Sequence, residues 1–79
     1  MPEIVRLSRC KICVFSGDHA PPHFHVLGPD VRASIDMVSL QILKGRGQRQ
    51  ALEQAIEWAR DPANMAVLAA AWRKLNERD

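Results

Sequence analysis

Apolar and polar residues alternate through the first half of the chain and recur at helical spacing through the second. Residues 3–7 (EIVRL) and 11–16 (KICVFS) are short β-type runs, split by polar Ser8 and Arg9. Residues 23–27 (HFHVL) and 31–37 (VRASIDM) are a third and a fourth run, and Gly28, Pro29 and Asp30 supply a hairpin turn between them. Residues 39–44 (SLQILK) read as a fifth strand, so the strands span about 3–44. After GRG the period changes. Ala51, Leu52, Ala55, Ile56 and Ala59 recur on one side, with Glu53, Glu57 and Arg60 on the other, which predicts a one-sided helix over about 48–60.

Asp61-Pro62 has the form of an N-cap followed by proline at the first helical position, and it opens a second predicted helix over 62–77. Met65, Leu68, Trp72 and Leu75 form its seam, and alanines at 66, 69, 70 and 71 make it apolar nearly all round. Such a helix is deeply buried or docked on another chain. A homodimer through helix 62–77, or a small partner protein, is therefore expected. No repeat or linker interrupts the order. One α+β domain over residues 1–79 is expected: a small antiparallel sheet of four to five strands followed by two α-helices.

Composition narrows this little. With 79 residues, 47% hydrophobic and 25% charged, the chain suits one globular domain of modest core, a size that often leans on a metal, a disulfide or a partner. A net charge of +2 lends a nucleic-acid partner little support. Residues 1–50 do hold seven basic against four acidic side chains. MPEIVRLSR lacks the apolar core of an export signal, and the longest apolar run, MAVLAAAW, is far short of a membrane span. A cytoplasmic location with reduced thiols and no membrane association is expected.

The chemistry gathers in residues 17–25, GDHAPPHFH, which contain all three histidines of the chain. His23 and His25, two apart on a strand, project to one face about 6.5 Å from each other. Two imidazoles so placed can converge on one divalent metal ion, although they supply only two of the three or four ligands needed. Asp18 and His19 lie just upstream, and Pro21-Pro22 stiffens the connection, as a preorganised polar site requires. The expectation is that His23 and His25 share an exposed face with Asp18 or His19 beside them. The plain alternative is that the prolines only end one strand and start the next, Asp18 caps the turn and the histidines face solvent. On strand 31–37, Arg32, Ser34 and Asp36 alternate with Ala33, Ile35 and Met37, so hairpin pairing presents the polar set with the histidines.

Two further patterns compete. Cys10 and Cys13 have C-x-x-C spacing, but in an extended chain their thiols face opposite sides and no tight turn surrounds them, so buried, reduced, inert cysteines are expected. In KGRGQR, Lys44, Arg46 and Arg49 beside flexible glycines and a helix N-terminus could grip a phosphate, though a solvated loop is the default.

M-P-x-I at the start, DHAPPHFH at 18–25, Ile35-Asp36, Glu57-Trp58 and Trp72 together resemble the bacterial domain-of-unknown-function family 4160, across nearly the whole chain. The resemblance implies a small prokaryotic cytoplasmic protein, often encoded beside another small protein, and it points to Asp18, His19, His23 and His25. Relatives tend to carry a small residue, an acid and a tyrosine after H-F-H, where Val26, Leu27 and Gly28 stand here. They carry ordinary strand residues in place of Cys10 and Cys13, and leucine-proline in place of Gly47-Gln48.

Two functions are weighed. The first is an interaction or regulatory module, one half of a two-gene, toxin–antitoxin-like pair, with a histidine-rich polar site. The second is a small histidine-dependent nuclease or phosphodiesterase, metal-assisted, in which two imidazoles act as base and acid and Arg32 or Arg46 steadies a phosphate. A chain this short builds only a shallow cleft and shows no acid cluster for a two-metal site, which favours the first.

Overall fold

A computed structural model describes residues 3–76 of the chain. Five strands come first and two helices follow: β1 (Glu3–Arg6), β2 (Lys11–Cys13), β3 (His23–Gly28), β4 (Val31–Asp36), β5 (Ile42–Gly47), α1 (Arg49–Arg60) and α2 (Pro62–Asn76). The sheet is a meander in which every neighbour is antiparallel and the strand order is the chain order. The fold is α+β, as the pattern predicts. Residue 77, the expected end of the second helix, and Met1-Pro2 of the M-P-x-I pattern lie outside the described residues.

One face of the sheet is the core. Ile12, Phe24, Val26, Ala33 and Ile35 are buried on it, and Ala51, Ala55 and Ala59 bring α1 down onto them. Alanine at every fourth position lets a helix lie close to a sheet, because no long side chain holds it off. Leu52 and Ile56 flank that stripe, half-buried. Gln54 of α1 reaches back to the β1–β2 turn, donating to Ser8 Oγ at 2.7 Å and accepting the Arg9 N–H at 2.9 Å. The Asp61 cap is present: Ala63 N–H donates to Asp61 Oδ1 at 2.9 Å, which satisfies an otherwise orphaned helix donor.

Two expectations change. The fifth strand lies at Ile42–Gly47, not 39–44, so the strands reach residue 47 and KGRG is not a loop. Asp36 is the reason. Its Oδ1 accepts the N–H groups of Val38 (2.7 Å) and Ser39 (2.9 Å), and Leu40 N–H returns to the Asp36 carbonyl at 2.9 Å. Leu40 closes this turn in the left-handed region, with φ of 60°. The apolar run through Val38 and Leu40 is therefore turn, and Val38 is 88% exposed. The second change concerns α2. Leu68 and Trp72 are buried in this chain's own core, with Met65 and Leu75 packed against it, so the seam meets its own sheet and α1. A second chain on this helix would meet Ala66, Val67 and Ala70 instead, which are exposed.

Candidate functional site

The register of the sheet sorts the polar side chains. His25 stands opposite Ser34, His23 opposite Asp36 and Leu27 opposite Arg32, so the face away from the core carries the histidines together with the polar residues of β4. Asp18 comes to them from the 14–22 connection. That loop is pinned by the end of α2: Asn76 Oδ1 accepts the Asp18 N–H at 2.9 Å, and Asn76 Nδ2 donates to the Phe15 carbonyl at 3.0 Å.

Three side chains then converge. His25 Nε2 lies 2.9 Å and His23 Nε2 3.3 Å from the same Asp18 oxygen, Oδ2. One ligand atom from each of the three residues lies within 4.8 Å of the other two. The rings are half-buried rather than fully exposed, with side-chain exposures of 13% for His23 and 21% for His25. Phe15 packs edge-on to His25 at 4.7 Å between centroids, and Trp72 tilts over His23 at 5.2 Å.

The outer ring nitrogens are also held. His23 Nδ1 is 2.8 Å from the Pro21 carbonyl oxygen, which can only accept, so Nδ1 carries a proton. In a neutral His23 the lone pair of Nε2 then faces the Asp18 carboxylate oxygen. Two electron-rich atoms face each other at 3.3 Å, an arrangement that calls for a proton or a cation between them. His25 Nδ1 lies 3.4 Å from Ser34 Oγ, a looser contact with a hydroxyl that can donate or accept. A histidine whose second nitrogen is held by a carbonyl or hydroxyl is the usual setting of a metal ligand, because that bond fixes ring and tautomer.

His19 is exposed in the loop and stands outside the trio. Asp36 has the expected register, but its carboxylate is turned to the 38–39 turn. The hydrogen bonds from the Ser39 and Val38 N–H groups hold its carboxyl below the usual aspartate value. Cys10 is in the core, with Sγ 3.7 Å from the Ala51 carbonyl oxygen, and Cys13 is fully buried opposite His25. Burial pushes both thiols up, which suits inert, reduced cysteines. Lys44 and Arg46 project from β5 onto the outer face beside Ser34 and Arg32, while Arg49 lies along α1 with its Nε 3.0 Å from Glu53 Oε2. The three cations expected on one loop thus stand on two elements, Lys44 and Arg46 on β5 and Arg49 on α1. Asn76 and Trp72 support the site without any local sequence signal, since they reach it from the far end of the chain; Ser34 stands where the hairpin pairing predicts it.

The model of the domain of unknown function DUF4160 matches residues 10–73, about four-fifths of the chain. The chain belongs to the DUF4160 family. No curated protein and no solved structure matches it. The matched DUF4160 segment takes in Asp18, His23, His25, Ser34 and Trp72, and stops short of Asn76, which pins the Asp18 loop.

Proposed function

We propose that Asp18, His23 and His25 bind one divalent first-row metal ion through a carboxylate oxygen and two Nε2 atoms, and that its open positions act on a phosphate ester. The observation that carries this is the meeting of both Nε2 atoms on one carboxylate oxygen, with Nδ1 of His23 tied to a carbonyl. At metal–ligand bonds of about 2.1 Å, adjacent ligands stand about 3.0 Å apart in an octahedron and about 3.4 Å in a tetrahedron. The observed 3.3 Å lies in that range and 2.9 Å just below it. Two histidines and one carboxylate leave coordination positions for water and substrate. An ion held by Asp18, His23 and His25 would supply a water nucleophile near neutral pH and charge stabilisation at a phosphoryl oxygen. A depression of about 400 Å³ that runs from His25 past Ser34 to Arg32 and Lys44 supports this reading, since its two cations suit an anionic substrate.

Titration calorimetry with Zn²⁺ and Mn²⁺ on metal-stripped protein tests the first half. One ion per chain is expected, with at least about tenfold weaker binding in His25→Ala and Asp18→Asn, and a smaller loss in Asn76→Ala, which frees the Asp18 loop. Trp72, close to His23, should change its fluorescence on binding in a Trp58→Phe background. Hydrolysis of bis(p-nitrophenyl) phosphate, abolished by EDTA and by Asp18→Asn, tests the second half. Failure to bind either ion at micromolar concentration would overturn the proposal.

A second reading is an interaction module, one half of a two-gene, toxin–antitoxin-like pair. It is favoured by β5, which lies at the edge of the sheet with Ile42 46% and Leu43 47% exposed. An uncovered edge strand is a template for a partner strand. Co-expression with the protein encoded next to it, followed by sizing of the purified pair, separates this reading from the first.

A further inference from the structure

The antiparallel register collects cations on the outer face of the sheet. One cross-strand row reads Arg6, Lys11, Leu27, Arg32, Arg46, and the adjacent row reads Glu3, Cys13, His25, Ser34, Lys44. Those two rows hold five basic side chains and one acid. Glu3 is engaged by Arg6 at 3.0 Å. Among the described residues, Lys11, Arg32, Lys44 and Arg46 take part in no ion pair, and the last three are exposed. Asp18 and Asp36 lie toward the histidine end and are already occupied, Asp18 by the imidazoles and Asp36 by its turn. Asp30, in the β3–β4 turn, shares a depression with Arg32 and Arg46 but forms an ion pair with neither.

Like charges side by side on a sheet repel, and nothing in the fold requires them there, because the packed strand residues, Cys13 apart, point the other way. A row of cations repeated strand after strand matches a polyanion. We infer that the outer face of the sheet binds a single strand of nucleic acid by its phosphodiester backbone, along the Arg6–Arg46 row, with the histidine site beside the strand. Five strands at about 4.8 Å spacing make a face about 19 Å wide, too broad for the roughly 12 Å major groove of a duplex. An unpaired strand can lie flat on it. Leu27 and Phe15 offer bases only a small apolar platform, so binding is led by phosphate contacts and is indifferent to sequence. The inference does not depend on the metal, since none of these cations is a ligand.

The test is fluorescence anisotropy of short labelled oligouridylate and oligothymidylate in EDTA, between about 50 and 200 mM salt. Both strands should bind within a few-fold of each other. With four unpaired cations engaged at about 0.7 each, log K should fall against log salt with a slope of about −3. Arg32→Ala/Arg46→Ala should halve that slope and lower affinity at least about tenfold, and Lys44→Ala should weaken it less. Arg49→Ala/Arg60→Ala removes the same charge from α1 and should change affinity less than about twofold. All these side chains are exposed, so the variants should melt near wild type. Working in EDTA keeps this test separate from the metal titration. The inference is overturned by any of four results: no binding at the lowest salt, equal loss in the α1 variant, tighter binding of a duplex, or equal binding of an oligoglutamate peptide.

Discussion

Asp18 Oδ2 carries the site, and it is held by atoms far away in sequence. Its loop is tied to Asn76, and the two imidazoles reach it from alternate positions of β3. Asp36, one strand over, shows how the same side chain can be put to structural work. Its carboxylate accepts two backbone N–H groups, so its folded pKa is below the unfolded one. The stability that this ionisation contributes is complete above the ordinary aspartate value and is lost as pH falls through the lower, folded value. Asp36→Asn keeps an oxygen acceptor but cannot titrate. Its melting temperature should therefore fall less steeply than that of wild type over that acid window, measured by circular dichroism against pH. Parallel curves would mean that the turn does not depend on the charge.

At the scale of elements, β5 is the strand whose place the pattern missed, and glycine is why. Gly45 and Gly47 read as loop residues, yet both point into the sheet's core side opposite Ala33 and Val31. Gly45 has φ of 83°, and a Cβ there would overlap the Arg32 carbonyl oxygen; a Cβ on Gly47 would overlap the Val31 side chain. The strand irregularity at Ser34/Ile35 and the absence of a side chain together let β5 close on β4. Gly45→Ala should destabilise the protein by about 2 kcal/mol or more by chemical denaturation, from positive φ and overlap together. A loss below about 0.5 kcal/mol would mean that the strand shifts to make room.

For the whole molecule, α2 decides whether this chain is complete alone. Leu68 is fully buried and Trp72 nearly so, against the chain's own sheet and α1. Leu68→Ala should cost about 3 kcal/mol, and Leu68→Asp should abolish cooperative melting at every protein concentration. The other outcome, a folded monomeric Leu68→Asp beside a wild type whose melting temperature rises with concentration, would make the seam an interface between two chains.

The strand and helix order could be read from sequence because hydrophobic period is a local property. Alternation marked four strands, the alanine stripe of α1 marked its buried face, and Asp61-Pro62 marked the start of α2. The pairing of β3 with β4 was legible for the same reason, since Gly28-Pro29-Asp30 sets the hairpin and the hairpin sets which faces agree. The site was half legible: the H-x-H spacing placed two imidazoles together, and the stiff prolines marked Asp18 as a neighbour. Whether Asp18 or His19 joined them was not, because Asp18 is held in place by Asn76 from the end of α2. Nor could the charge be judged from a total of +2, because a sum carries no direction. Only the register of five strands turns Arg6, Lys11, Arg32, Lys44 and Arg46 to one side, and only packing turns the apolar seam of α2 inward. Local spacing determines where a side chain points along its own element, and tertiary structure decides what stands opposite it.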